Sequence, residues 1–367
     1  MLIPYINKCI MKTNLLIICL FVIISCNSHK TEVQTGVTVL NVENLQFKDW
    51  ASIIQVDSVI QLGINEDSLL SIAQKCVLAN DRIIFWDYKL KSVYVYNRQG
   101  VFLFTVGKLG GAENECVELR DVTISPDQQS IELLDATGIL VFSMQDGHFI
   151  EKKNIDGIKM LGCHRFSHTS EDSYLLFSDM EDYSIYKFTN GELEGLRKRN
   201  GIQLVSERFY HYDGHCMVLP DYGNYVVDIY RDGTLMPKYH IDFGNQALPE
   251  DKLPQTWKQF DKLEHTDDYF KSIVSVIEDD GFLYVRSVGP SRTYYDIYWD
   301  KKTGKILSGP ADMQLGMMTF ASCEGFLYGL VYPEYLSKES PLYPYVQSYV
   351  EDEDANPIIL KFKFYEK

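Results

Sequence analysis

Four Asx-Gly turns recur along this chain at intervals of about 45 residues. They are Asn97-Arg98-Gln99-Gly100, Asp146-Gly147, Asn190-Gly191 and Asp232-Gly233, each set between two short runs of alternating apolar and polar side chains. Such pairs supply the positive φ values that a tight hairpin needs. A hairpin repeated at constant period confines the fold to arrays or closed rings of one supersecondary unit. The unit is clearest in residues 82–106, RIIFWDYKLKSVYVYNRQGVFLFTV, which read as three strands joined by two turns. The apolar stretch 71–78 before it supplies an inner fourth strand.

The same four-strand pattern runs through 122–152, 162–196, 207–241 and 270–307. A sixth unit has strands at 317–323, 326–331 and 358–365, but no outer strand before the chain stops. The segment Ile53–Leu62, IIQVDSVIQL, alternates as a strand and has no other place. The expected fold is therefore all-β: a six-bladed β-propeller over residues 37–367, with four antiparallel strands per blade and Ile53–Leu62 completing the last blade. Closing the ring in this way also removes an open sheet edge. The 25 Tyr and 19 Phe agree, since aromatics suit pleated, half-buried surfaces. Two insertions interrupt the period. Residues 244–268 separate units four and five and contain a predicted short helix, 254–265. Residues 333–356, rich in Tyr, Pro and acids, lie inside unit six.

Ahead of the repeats, Lys12 precedes the apolar run 15–24, LLIICLFVII. That run falls short of the roughly 20 residues a spanning helix needs and has the shape of a secretory signal. Met11 is an alternative start, because MKTN is the more usual basic region. Ile23-Ile24-Ser25-Cys26 resembles the bacterial lipobox, whose cysteine becomes the lipidated first residue of the mature chain. The expected order is signal peptide 1–25, tether 26–36, then the propeller. Lipidation at Cys26 would hold the protein in the bacterial cell envelope by acyl chains alone, on the periplasmic or the surface side.

After the first unit comes Val106-Gly107-Lys108-Leu109-Gly110-Gly111-Ala112-Glu113-Asn114-Glu115, then Leu119-Arg120-Asp121-Val122. This resembles the G-x-G-GPGEY…D connector of the six-bladed β-propeller lipoproteins of Bacteroidetes, which are NHL-like in strand pattern. Here Gly111-Ala112-Glu113-Asn114-Glu115 replaces the family's Gly-Pro-Gly-Glu-Tyr. The resemblance spans residues 37–367 and implies architecture and an envelope location, with no general activity attached.

The net charge of -16 repels phosphate backbones, so nucleic acid is not an expected partner. Of eight cysteines, Cys76, Cys116, Cys163, Cys216 and Cys323 lie beyond the leader, without CxxC or Cys/His ligand spacing. One disulfide among them is open; zinc is not expected. The sequence holds no HExxH, Gly-x-Ser-x-Gly or phosphate-binding loop. In a propeller the inner strands converge on a channel, so polar residues at their starts are the first ligand candidates. These are Arg120, Asp121, His164, Arg165, His168, Tyr210, His211 and Lys271, with Trp257 as a loop aromatic for stacking. The expected function is a non-catalytic, monomeric binding or scaffold module for a protein or glycan. The alternative is a lactonase-like hydrolase or lyase with a divalent cation held by inward acids in the channel. Asp279-Asp280-Gly281 and Glu351-Asp352-Glu353-Asp354 have a calcium-like composition, although a hairpin turn and a solvated loop account for them more simply.

Overall fold

The computed structural model describes residues 36–42, 45–64, 69–155, 162–170, 172–265, 268–349 and 356–365. Cys26, the signal segment, most of the tether and residues 351–354 lie outside these. Among the described residues the strands form six sheets, one per blade. Strands a to d of blade one are Ala73–Leu78, Arg82–Asp87, Ser92–Asn97 and Phe102–Val106. Blade two has Leu119–Ile124, Ser130–Asp135, Gly138–Ser143 and Phe149–Lys153; blade three has Cys163–Ser170, Ser173–Ser178, Tyr183–Thr189 and Glu192–Lys198. Blade four has Phe209–Tyr212, His215–Val218, Val226–Arg231 and Thr234–Asp242; blade five has Ser272–Glu278, Phe282–Val288, Tyr294–Asp300 and Ile306–Pro310. Each blade is an antiparallel meander, and successive a strands approach one another around a central axis.

Local chemistry explains the meander. Asn190-Gly191 and Asp232-Gly233 take positive φ at both positions (53° and 83°, 50° and 81°), the backbone of a type I′ hairpin. In blades one and two strand b ends in a fully buried aspartate. Asp87 Oδ2 accepts the amides of Ser71 and Ile72 at 2.6 and 3.0 Å, and Asp135 Oδ1 accepts that of Glu118 at 2.7 Å. Each carboxylate thereby clamps the connector that delivers the chain to its own blade. The core is a set of layers between neighbouring sheets: Trp86 and Val95 of blade one, for example, pack with Leu133 and Phe142 of blade two.

Blade six is built from both ends of the chain. Met317–Cys323, Phe326–Val331 and Ile358–Phe364 are completed by Ile54–Gln61, which pairs antiparallel with Ile358–Phe364 from Ile54↔Phe364 to Gln61↔Ile358. The closing strand also abuts blade one. Gly63 N donates to Gly100 O at 2.7 Å, and a Cβ at Gly100 would meet Gln61 O at 2.0 Å.

The structure adds a strand that sequence reading misses. Thr38–Asn41 pairs parallel with the outer strand of blade four, making a five-stranded sheet. Four residues, TVLN, are too few to show a periodicity, and their place is set by burial of Leu40 and Val42 in the blade-four core. From there the chain crosses the edge of blade five, where Phe47 N donates to Ser308 O and Trp50 Nε1 to Pro310 O. It then enters blade six. Residues 38–42 and 45–61 are thus a belt over the outer edges of blades four, five and six.

Two further expectations shift. Strand a of blade two starts at Leu119, not at 122, because the half-buried Arg120 and buried Asp121 mask the apolar pattern. The inserted helix is Trp257–Glu264, shorter than 254–265. Thr256 caps it in a reciprocal box with Gln259, while Pro254 O is used to accept Ile202 N. No helix among the described residues is long and apolar enough to cross a membrane.

Trp50 is 1% exposed, and its indole and hydrogen bond join the belt to blades five and six. Replacing it with Ala should cost about 3–5 kcal/mol. Denaturant unfolding checks this, and a loss under about 1 kcal/mol would mean that the belt does not hold the ring.

Candidate functional site

Because every a strand runs in the same sense, the two ends of the channel differ in kind. One end gathers the connectors between blades and the b–c turns; the other gathers the short a–b turns. At the connector end an ion cluster occupies one side of the channel mouth. Lys75 of blade one reaches across the axis to Asp121 Oδ1 of blade two at 3.0 Å and to Glu207 Oε2, just before blade four, at 3.1 Å. Asp121 Oδ2 accepts the amide of Phe166 in blade three at 3.0 Å. Glu207 Oε1 accepts the amides of Arg208 and Phe209 at 3.1 and 3.3 Å. One lysine and two carboxylates therefore tie four blades together at the mouth.

Burial works against the charge on Lys75, but Asp121 and Glu207 outweigh it and hold the ammonium above its ordinary pKa. Burial likewise pushes Glu207 up, yet Lys75 and Arg165 bring it below the usual carboxylate value. Asp121 goes the other way: burial, helped by the negative charge of Glu207, raises it despite Lys75.

Beside this cluster a cavity of about 390 Å³ runs along the channel from Gln74, Tyr294 and Met318 at the connector end, past Phe166, Tyr210, His211, Val276 and Thr319. It opens toward a funnel of about 1040 Å³ at the a–b end, to which all six blades contribute. The funnel wall carries Asp213, Asp279, Asp280 and Glu324 against Arg98. Asp279-Asp280-Gly281 forms the a–b turn of blade five; Asp279 accepts the Gly325 amide at 3.1 Å, and Asp280 accepts the Tyr212 hydroxyl.

The residues singled out from sequence do not form one site. Asp121 and Arg165 meet at the ion cluster. Arg120 bonds Cys163 O at 3.3 Å and pairs with Glu118. His164 lies 3.1 Å from Asp179 near the connector end. His168 sits on the funnel wall, stacked on Tyr174 at 4.3 Å with Nδ1 3.0 Å from Glu132 Oε1. His211 lines both the cavity and the funnel with its side chain open to the channel, its Nε2 2.8 Å from Ser167 Oγ; desolvation inside the channel and the charge of Lys75 lower its pKa to about 4, so the ring is neutral at pH 7. Lys271 is not at the mouth. It is wholly buried and donates to Glu264 O at 3.1 Å, bracketing the inserted helix to blade five. Trp257 stands on the surface of that helix, edge-on to Phe260. Lys75 is not among the residues that sequence reasoning singles out; its signal is a lone lysine in the otherwise apolar run around Cys76 and Val77.

Among the described residues no three His, Cys, Asp or Glu side chains converge in a way that could hold a metal. The inward acids Asp121 and Glu207 are both engaged by Lys75. Cys76, Cys116, Cys163, Cys216 and Cys323 are free thiols, and burial pushes Cys116, Cys163 and Cys216 up to about 12, far from a nucleophilic thiolate at neutral pH.

The fold and channel define a six-bladed β-propeller with an ion cluster at one mouth and a wider funnel at the other. Residues 32–363 match the family described as "Domain of unknown function (DUF4934)", and the chain belongs to it. No curated protein matches the sequence. Two similar crystal structures come from Bacteroides. One, from Bacteroides fragilis, is of a protein whose name marks it as presumed to be exported; it is 14% identical, with a TM-score of 0.75, covering 90% of this chain and 100% of that one. The other is a member of the duf4221 family from Bacteroides vulgatus, 13% identical, with a TM-score of 0.57, covering 84% and 97%. At these identities the likeness concerns the fold.

Replacing Lys75 with Met leaves the buried Asp121 and the half-buried Glu207 without this cation and should cost about 3 kcal/mol at neutral pH. Without Lys75 the folded-state pKa of Asp121 rises further above its unfolded value, so the folded variant binds protons more readily than the unfolded chain. The deficit should therefore be smaller at pH 5 than at pH 8. Urea unfolding at both values tests this; an equal deficit would show that these carboxylates do not titrate as described.

Proposed function

We propose that this protein is a non-catalytic, monomeric binding or scaffold module of the bacterial envelope, lipid-anchored at Cys26, that holds a protein or glycan partner on its connector end. The observation that carries the reading is the placement of exposed apolar side chains. Most of the large ones stand in connectors or b–c turns, including Tyr88, Val117, Met180, Trp257, Met313 and Tyr335. Trp257, Met313 and Tyr335 are 61%, 69% and 81% exposed. Both insertions enter this end as well, the first as a connector and the second as the b–c segment of blade six. Exposed apolar surface gathered on one face marks an interaction site, and long loops on a rigid scaffold are where recognition residues sit. The name of the Bacteroides fragilis neighbour supports an exported location, and the lipobox resemblance supports the anchor.

The test is capture by chemical cross-linking in envelope fractions. A Trp257→Ser/Tyr335→Ser variant, with both changes at exposed sites, should melt within a degree or two of the parent and lose the cross-linked partner. Capture equal to the parent's would remove the connector end as the binding face. Separately, Cys26→Ala should move the protein from the membrane to the soluble fraction, and continued membrane fractionation would overturn the anchor.

A further inference from the structure

Each of the six a–b turns carries an exposed carboxylate: Asp81, Asp127, Asp172, Asp213, Asp280 and Glu324 in blades one to six. No lysine or arginine stands in any of these turns. Propeller topology sets the turns around one opening, so they place a ring of negative charge at the funnel mouth. Asp213, Asp279, Asp280 and Glu324 line the funnel itself. Among the described residues Arg98 is the only lysine or arginine in that lining, and it is engaged elsewhere: Nη1 donates to Ala79 O at 3.2 Å and Nη2 to the Tyr328 hydroxyl at 3.1 Å. Lys301, next to the blade-five turn, donates to Glu278 Oε1 and Asp279 O, both at 2.7 Å. Asp279 accepts one backbone amide and Asp280 one hydroxyl, and among the described residues none of the four carboxylates has a cation at ion-pair distance.

A second observation points the same way. His168 lines the funnel with its side chain 6% exposed. Its Nδ1 lies 3.0 Å from Glu132 Oε1. In the neutral ring a carboxylate at that distance holds the proton on Nδ1 and leaves Nε2 as an acceptor. That Nε2 is buried and has no hydrogen-bond partner. The funnel thus offers acceptors and negative charge together, and the complement is a cationic N–H donor. A single metal ion does not fit, because among the described residues no three His, Cys, Asp or Glu side chains converge to hold one. Carboxylates spread over blades four, five and six around about 1040 Å³ suit positive charges separated along a chain.

We propose that the a–b funnel is a binding site for alkylammonium groups, filled by a chain that carries two or more of them. Asp213, Asp280 and Glu324 hold these groups, and His168 Nε2 accepts from the one that enters deepest. The site lies at the opposite end of the ring from the connector face and is independent of it. The ligand is a free polyamine or a lysine-rich peptide, which share this chemistry and are separated by their probes.

Isothermal titration calorimetry of the full chain with spermidine and with an acetylated trilysine amide tests the site, with butylamine and calcium chloride as comparisons. At least one polycation should bind with 1:1 stoichiometry, about tenfold or more tighter than butylamine, which meets one carboxylate at a time. The tighter of the two identifies the source, and its affinity should fall as salt is raised. Asp213→Asn/Glu324→Gln removes two charges at exposed turns and keeps the side-chain shapes; Asn suits the left-handed backbone at Asp213, where φ is 49°. This variant should weaken binding about tenfold, the scale of two exposed ion pairs. His168→Asn keeps a donor for Glu132 and removes the Nε2 acceptor, and should weaken binding about fivefold. Circular dichroism melts check folding; if His168→Asn does not fold, the exposed pair alone decides. Binding of neither polycation, calcium bound as tightly as either, or several weak sites untouched by Asp213→Asn/Glu324→Gln would overturn the proposal. The Trp257→Ser/Tyr335→Ser variant should bind the polycation as the parent does, and a loss there would remove the site from the funnel.

Discussion

Everything in this molecule depends on pairing two strands from opposite ends of the chain. Six sheets can present their inner edges to a common axis only if the circle is complete, and the circle is completed where Ile54–Gln61 lies against Ile358–Phe364. Without that pair, Ile358–Phe364 would expose the ladder of an apolar strand, an invitation to wrong partners. The belt extends the same solution: residues 38–42 and 45–61 cover or complete the outer edges of three consecutive blades, held by Leu40, Trp50 and the Phe47 amide. Such contacts are distant in sequence, so the ordering of the first blade and the last is mutual.

Closure has a chemical consequence at the axis. Six strand starts meet at one spot, where side chains of residues far apart in sequence become neighbours. Lys75, Asp121, Arg165 and Glu207 come from four parts of the ring and lie within one electrostatic cluster. The connector end therefore combines a charged cluster with apolar side chains and two insertions, while the a–b end is an acidic funnel. The asymmetry follows from topology: a–b turns are short and pinned by strand pairing, whereas connectors and b–c segments lengthen without disturbing a sheet.

Much of the fold was legible because a sheet of fixed size needs repeated turn chemistry. The Asx-Gly pairs, the four-strand period and the orphan strand before blade one lead directly to a closed six-bladed ring. What was not legible has the opposite character. Thr38–Asn41 carries no period, and its parallel pairing with Thr234–Asp242 follows from where the belt is held. Arg120 and Asp121 read as polar residues before a strand, yet they lie within it, because an inner strand facing an ion cluster tolerates polar side chains. His164, His168 and His211 look alike in sequence, but small differences of position send them to Asp179, Glu132 and Ser167 respectively. Lys271 looked like a channel residue and is a structural bracket.

The amino-acid sequence by itself determined the repeat, the blade count and the need for a closing strand, because these follow from turn residues and alternation, which act within a few residues of one another. Only the tertiary structure decided which charged groups face each other across the axis, which of them are satisfied, and which end of the ring carries exposed apolar surface. Those properties depend on burial and on distances of a few ångströms between residues far apart in the chain, such as Lys75 with Asp121 and Glu207, 46 and 132 positions away, and no local pattern encodes a distance across a channel.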